Sequence, residues 1–196
     1  SMFGTKEIIG IIAVVLTFAG YIPYFIDIYN GKTKPHMFSW LVWSVTTGVV
    51  IALQISAGAG PSVWVTCSVW LMLVTVFCLS FRYGHKDRRA IDTIFLIVAL
   101  AAIPLWLFAK QPILAIVLLC TIEMLGFAPT IRKAWIDPYS GTLAMFVVTS
   151  FRHILALLAL ANWNIVSYLF PLTWVLANGG FAILLIVRRK IIHNKR

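Results

Sequence analysis

Apolar runs of about 20 residues follow one another along this chain with very short connections, and that succession leaves little choice of fold. Hydrocarbon offers nothing to backbone N–H and C=O groups, so such a run crosses a bilayer as an α-helix that satisfies its own. The runs fall near Ile8 to Tyr29, Met37 to Ser56, Pro61 to Phe81, Ala90 to Ala109, Pro112 to Lys133, Thr142 to Ala161 and Val166 to Val187, which predicts seven transmembrane helices. Turn-forming residues mark the breaks: Asn30-Gly31, Ala57-Gly58-Ala59-Gly60-Pro61, Tyr83-Gly84, Gln111-Pro112, Asp137-Pro138 and Asn162-Trp163-Asn164. With 61% hydrophobic and 11% charged residues, the composition excludes an ordinary soluble domain. The first run is too long for a signal-peptide core and lacks a small-residue cleavage site, so it is expected to stay in the mature chain.

The net charge of +10 does not point to nucleic acid, because the basic residues cluster at helix ends. Thirteen of them follow the first, third, fifth and seventh runs, from Lys32 and Lys34 through Arg82 to Arg89, Arg132 and Lys133 to the tail from Arg188 to Arg196; only Lys6 and Lys110 lie at the other ends. The positive-inside rule then puts the carboxyl terminus in the cytoplasm and the amino terminus outside, in a bacterial inner membrane, with the basic tail against anionic lipid. Asp27 and Asp92 fall near that same interface, where Lys32, Arg88 or Arg89 can neutralise them, and read as structural. Cys67, Cys78 and Cys120 sit inside apolar runs without metal-type spacing and read as free thiols. No metal or other cofactor is expected, and a homo-oligomer is left open.

The first and fifth runs share a pattern, Gly20-Tyr21-Ile22-Pro23 against Gly126-Phe127-Ala128-Pro129, at an offset of 126 − 20 = 106. At the same offset Tyr29 meets Trp135, Trp40 meets Phe146 and Ser44 meets Ser150. Chance similarity between apolar helices is the competing reading. A true repeat makes two parallel three-helix units, and three is odd, so a reversing helix must join them. The expected architecture is therefore all-α with a 3+1+3 order. Pro23 and Pro129 each free a carbonyl four residues back and are candidate hinges, although proline also occurs in membrane helices with no such role.

Glu123 falls near the middle of the fifth run, and Arg152 with His153 near the middle of the sixth. A charge at the bilayer centre costs at least about 2.5–3.5 kcal/mol, so these side chains should face the interior and find partners. Glu123 with Arg152 is the expected pair. Under the offset they correspond to Thr17 (123 − 106) and Thr46 (152 − 106), also mid-helix. Asn178 lies at similar depth with Ser68, and Trp43, Trp70 and Trp174 sit deeper than interfacial anchors do. Two readings follow: an ion pair that locks two helices, or a midplane site in which Arg152 binds an anionic group and Glu123 takes up and releases a proton. His153 either assists or packs inertly. Trp40, Trp64, Trp106, Trp135 and Trp163 fall towards helix ends and read as an aromatic belt.

This arrangement resembles the PQ-loop repeat superfamily, which includes the SWEET sugar transporters, cystinosin-type carriers and the KDEL receptor, in a bacterial-type form lacking the Pro-Gln dipeptide. Tyr24 and Thr130 stand where glutamine normally follows the proline. The resemblance covers nearly the whole chain and implies a first bundle over residues 1–83, a linker helix over 84–111 and a second bundle over 112–196. In the SWEET branch, asparagines on the third helix of each bundle contact sugar; Asn178 takes the second place, and the region of Met72 and Val74 offers no first. The implied function is transport of a small polar solute by alternating access, with a seven-helix receptor without net transport as the alternative. An enzyme is not expected: HExxH and GxSxG are absent, and no nucleophile or metal set accompanies Glu123 and His153.

Overall fold

The computed structural model describes residues 4–136, 138–139 and 143–194, and its regular structure there is entirely helical apart from one isolated bridge between His36 and His85. The helices are α1 (Thr5–Tyr29), α2 (Met37–Ser56), α3 (Ser62–Tyr83), α4 (Ala90–Leu107), α5 (Pro112–Ile136), α6 (Leu143–Leu158) and α7 (Ile165–His193). Among the described residues six of them, all but α6, are long and apolar enough to cross a membrane. Their outer faces expose large aliphatic side chains in rows, such as Ile8, Ile12, Val15, Ile22 and Ile26 on α1 and Ile94, Ile97 and Leu100 on α4, a surface suited to lipid.

Local chemistry sets the ends. His36 caps α2, its Nδ1 accepting from the Ser39 N–H at 3.3 Å. Asn164 caps α7 by accepting from the Ser167 N–H at 3.1 Å, while the Asn164 N–H donates to Ser167 Oγ. Asp92 accepts from the Arg89 N–H at 3.0 Å at the start of α4 and also forms an ion pair with the Arg89 guanidinium. The sixth span, expected from Thr142 to Ala161, is corrected: Thr142 lies outside the described residues, and the helix, described from Leu143, ends at Leu158, three residues before Ala161. The Ala161 N–H donates to Ala59 O at 2.9 Å, across to the α2–α3 connection, and so leaves the helical ladder. Conversely α7 continues past Val187 to His193. Arg188 and Arg189 there donate to Trp135 O and Pro138 O, and the Arg188 guanidinium lies 4.3 Å from the centre of the Trp135 ring.

Packing follows a swapped pattern. α3 packs on both α1 and α2, and α7 packs on both α5 and α6; across these groups α1 meets α6 and α2 meets α5, while α4 lies against α2 and α5. The largest apolar cluster joins α2, α4, α5 and α7 through Val50, Leu53, Ala102, Ile116, Leu119 and Phe170. A smaller one brings Ala13 of α1, Val65 of α3 and Ala156 of α6 together.

At one end the α2–α3 and α6–α7 connections are clasped. Besides the Ala161 bond, Asn162 Nδ2 donates to Gly58 O at 2.9 Å and Asn164 Nδ2 to Ala57 O at 3.0 Å. Leu160 is fully buried against Ala59 and Val63. Gly58 and Gly60 take φ of +70° and +67°, and a Cβ on Gly60 would stand 2.5 Å from the Ala161 Cβ, so the clasp needs glycine there. At the opposite, basic end the described links run inside each group: His85 pairs with Pro35 and Met37, and the end of α7 is tied to Trp135 and Pro138.

Candidate functional site

Glu123 is 3% exposed on α5 and faces α2. Its Oε1 accepts from Thr46 Oγ1 at 2.7 Å and from Thr47 Oγ1 at 2.8 Å. Thr46 and Thr47 are both fully buried. Thr46 Oγ1 also lies 2.9 Å from Val42 O and 3.0 Å from Trp43 O, so its one hydrogen has alternative acceptors. An ionised Glu123 receives that hydrogen; a protonated Glu123 can donate to Thr46 Oγ1 while the hydroxyl turns to the Val42 carbonyl. The site therefore accommodates either protonation state without moving a heavy atom.

Arg152 is 6% exposed on α6. The ion pair expected with Glu123 is not formed, since the one ion pair among the described residues joins Arg89 and Asp92. The physical reason is azimuth: Glu123 points from α5 to the α2 hydroxyls, whereas α6 lies against α1. The Arg152 Nε is buried without a partner, and no guanidinium nitrogen donates to a described residue.

The other expected residues divide. His153 is 4% exposed; its Nδ1 donates to Thr149 O at 2.9 Å, and its ring stacks on Trp174 with centroids 6.1 Å apart. That hydrogen bond fixes Nε2 as the acceptor nitrogen of the neutral ring. Trp174 also packs edge-on against Phe127 and Phe170, bridging α5 and α7. Asn178 is 1% exposed, and its Nδ2 donates to Trp174 O one turn back. Trp43 lies over Gly126 of α5, where a Cβ would come within 2.7 Å of the indole nitrogen. It lines a crevice of about 320 Å³ at the basic end, walled by α2, α4 and α5 and including Ser39, Arg89, Gly126 and Pro129.

Trp70 does not join them. Its indole N–H donates to Ser44 O at 3.0 Å, and the ring lines an apolar groove with Val45, Gly48, Phe77, Ile103 and Trp106 on the outer side of α2, α3 and α4. Pro23 and Pro129 are exposed positions inside helices that continue on both sides of them. Two residues of interest were not singled out from the sequence: Thr47 and Gln54. The Gln54 side chain is fully buried near the end of α2 and neither of its amide atoms has a partner, a costly state for an amide. A glutamine alone in an apolar run was the available signal.

Comparison with models of known protein families, with curated proteins and with solved structures finds no match.

Proposed function

We propose that the chain is a membrane transporter that moves a small polar solute through an interior site between two three-helix bundles. The bundles are α1–α3 and α5–α7, with α4 as the inversion linker, in the manner of the PQ-loop repeat superfamily. Supporting this is the swap in the packing, α1 on α6 and α2 on α5, which is the pattern of two like units facing each other about an axis along the membrane normal. Glu123 meets Thr46 between α5 and α2, and the positions equivalent to them under the 106 offset, Thr17 and Arg152, fall on α1 and α6, the other two helices that pack across the groups.

The observation that carries the functional reading is the state of the two buried charges. A locking ion pair would leave Glu123 and Arg152 satisfying each other; instead each sits at a seam between the bundles and Arg152 has donors to spare. A membrane interior tolerates an unsatisfied guanidinium poorly, and retaining one is the mark of a group kept for a ligand. Arg152 is the anchor for an anionic group, Glu123 the residue that exchanges a proton, and Trp43, Trp174, His153, Thr46 and Asn178 the surrounding surface.

Alternating access then consists of releasing the clasp at the Ala57 to Gly60 end while the basic end closes, with Pro23 and Pro129 absorbing the bend. The amino terminus lies outside and the basic end in the cytoplasm by the charge bias. The test is solute counterflow into proteoliposomes using sugars, carboxylates and amino acids. A transporter accumulates at least one of them, and Arg152→Gln abolishes the accumulation. A solute that binds the purified protein without any flux assigns the chain to the receptor class instead.

A further inference from the structure

Resting on the transporter reading above, we infer that Gln54 and Ser62 line the solute path on the clasp side, buried while the clasp is closed and solvated when it opens. Gln54 is fully buried on α2, and neither its amide oxygen nor its amide nitrogen has a hydrogen-bond partner among the described residues. Ser62, the first residue of α3, is also fully buried, and its hydroxyl is likewise unpartnered among them. Burying such groups without a hydrogen bond costs free energy, and the amide costs more than the hydroxyl because it has both a donor and an acceptor to satisfy. A leucine at position 54 would continue the apolar packing of Val49, Val50 and Leu53 without that cost. The closed state therefore gains nothing from the amide; a state in which water reaches it does.

The placement of the two residues says which state that is. They stand on either side of the α2–α3 connection, and the three bonds of the clasp land on the carbonyls between them, those of Ala57, Gly58 and Ala59. The Ala59 N–H in turn donates to Gln54 O at 3.0 Å, so a displacement of the connection passes directly to the last turn of α2. Gln54 also shares the inner face of that helix. It follows Thr47 by 54 − 47 = 7 residues, so it leaves α2 in nearly the direction of the Thr47 hydroxyl that meets Glu123, about 10 Å nearer the clasp. Releasing the clasp opens the protein at the unpartnered amide and hydroxyl, in line with Glu123. The pair is uncharged and offers both donors and acceptors, the chemistry of a wetted vestibule and not of an ion site.

The experiment has two readouts on the purified full chain, and neither needs a transported solute. Gln54→Leu removes the unpartnered amide, and its unfolding equilibrium should shift towards the folded state by about tenfold. In the second readout, Gln54→Cys in lipid nanodiscs is exposed to a charged, water-soluble maleimide, and adducts are located by mass spectrometry so that Cys67, Cys78 and Cys120 are counted separately. Loosening the clasp with Asn162→Ala and Asn164→Ala should speed modification at position 54 by about tenfold. Leu53→Cys, from the cluster shared with α4, α5 and α7, should stay protected with and without those changes. If Gln54→Leu is less stable than the native protein, the amide is already satisfied when the clasp is closed and the inference is overturned. A modification rate at position 54 that the clasp variants leave unchanged overturns it as well. If both readouts hold while the native protein shows no counterflow, the transporter reading fails and the solvated cleft stands.

Discussion

Thr46 Oγ1 donates to Glu123 Oε1 at 2.7 Å across the seam between α2 and α5, where the Glu123 charge is taken up by hydroxyls and not by Arg152. Thr47 contributes the second bond from the next residue of the same helix. Adjacent residues diverge by about 100° around a helix, so two of them reach one oxygen only if Glu123 points straight at the α2 axis between them.

The hydroxyls should therefore matter to stability in proportion to the charge they serve. Thr47→Val is expected to lower unfolding stability by about 1.5–3 kcal/mol, the range for a hydrogen bond to an ionised group. Thr46→Ser keeps the hydroxyl and should stay within about 1 kcal/mol of wild type. Because Thr46 and Thr47 share one acceptor, the double valine variant should deviate from additivity by at least about 0.5 kcal/mol. Denaturation in detergent, followed by circular dichroism, reads all three.

The clasp gives a conformational prediction. Asn162 Nδ2 and Asn164 Nδ2 hold the carbonyls of Gly58 and Ala57, and each neutral bond contributes about 0.5–1.5 kcal/mol. Replacing both asparagines with alanine should shift the population towards an opened end by roughly tenfold. Gly60→Ala should do the same by a different route, since it combines a φ of +67° with a collision against Ala161. Spin labels at Ser56 and Trp163 should report a longer distance distribution in both variants.

Two glycines 106 positions apart, Gly20 and Gly126, each three residues before a helix proline, separate local packing from helix propensity. Gly20 has open space where a Cβ would go, whereas at Gly126 a Cβ meets Trp43 Nε1 at 2.7 Å. Gly20→Ala should be neutral or stabilising by about 0.5–1 kcal/mol. Gly126→Ala should be destabilising by about 1–3 kcal/mol as an overpacking change. Thermal melts of the two single variants test the contrast directly.

Much of the fold was legible because turn chemistry and hydrophobic length agree. Asn30-Gly31 ends α1 with Gly31 at a φ of +73°, and Gln111-Pro112 starts α5 at Pro112. What escaped the sequence was direction around each helix. Glu123 and Arg152 were placed at one depth by their position in the runs, but depth does not say which neighbour a side chain faces; the hydroxyls of α2 took Glu123. Trp70 misled for the same reason, being deep in its run yet turned outward with its N–H on Ser44 O. The end of α6 at Leu158 escaped because the Ala161 N–H bonds to a residue 102 positions away (161 − 59), a tertiary contact no local pattern records.

Glu123 and Arg152 are proposed to serve an interior solute site and not a structural lock. Counterflow of radiolabelled solutes into proteoliposomes tests it most directly, with wild type, Glu123→Gln and Arg152→Gln reconstituted at equal folded amounts. Protein-dependent accumulation of at least one small polar solute is expected, reduced by at least about tenfold in each variant. Accumulation that survives both substitutions, or none for any solute with the native protein, would contradict it.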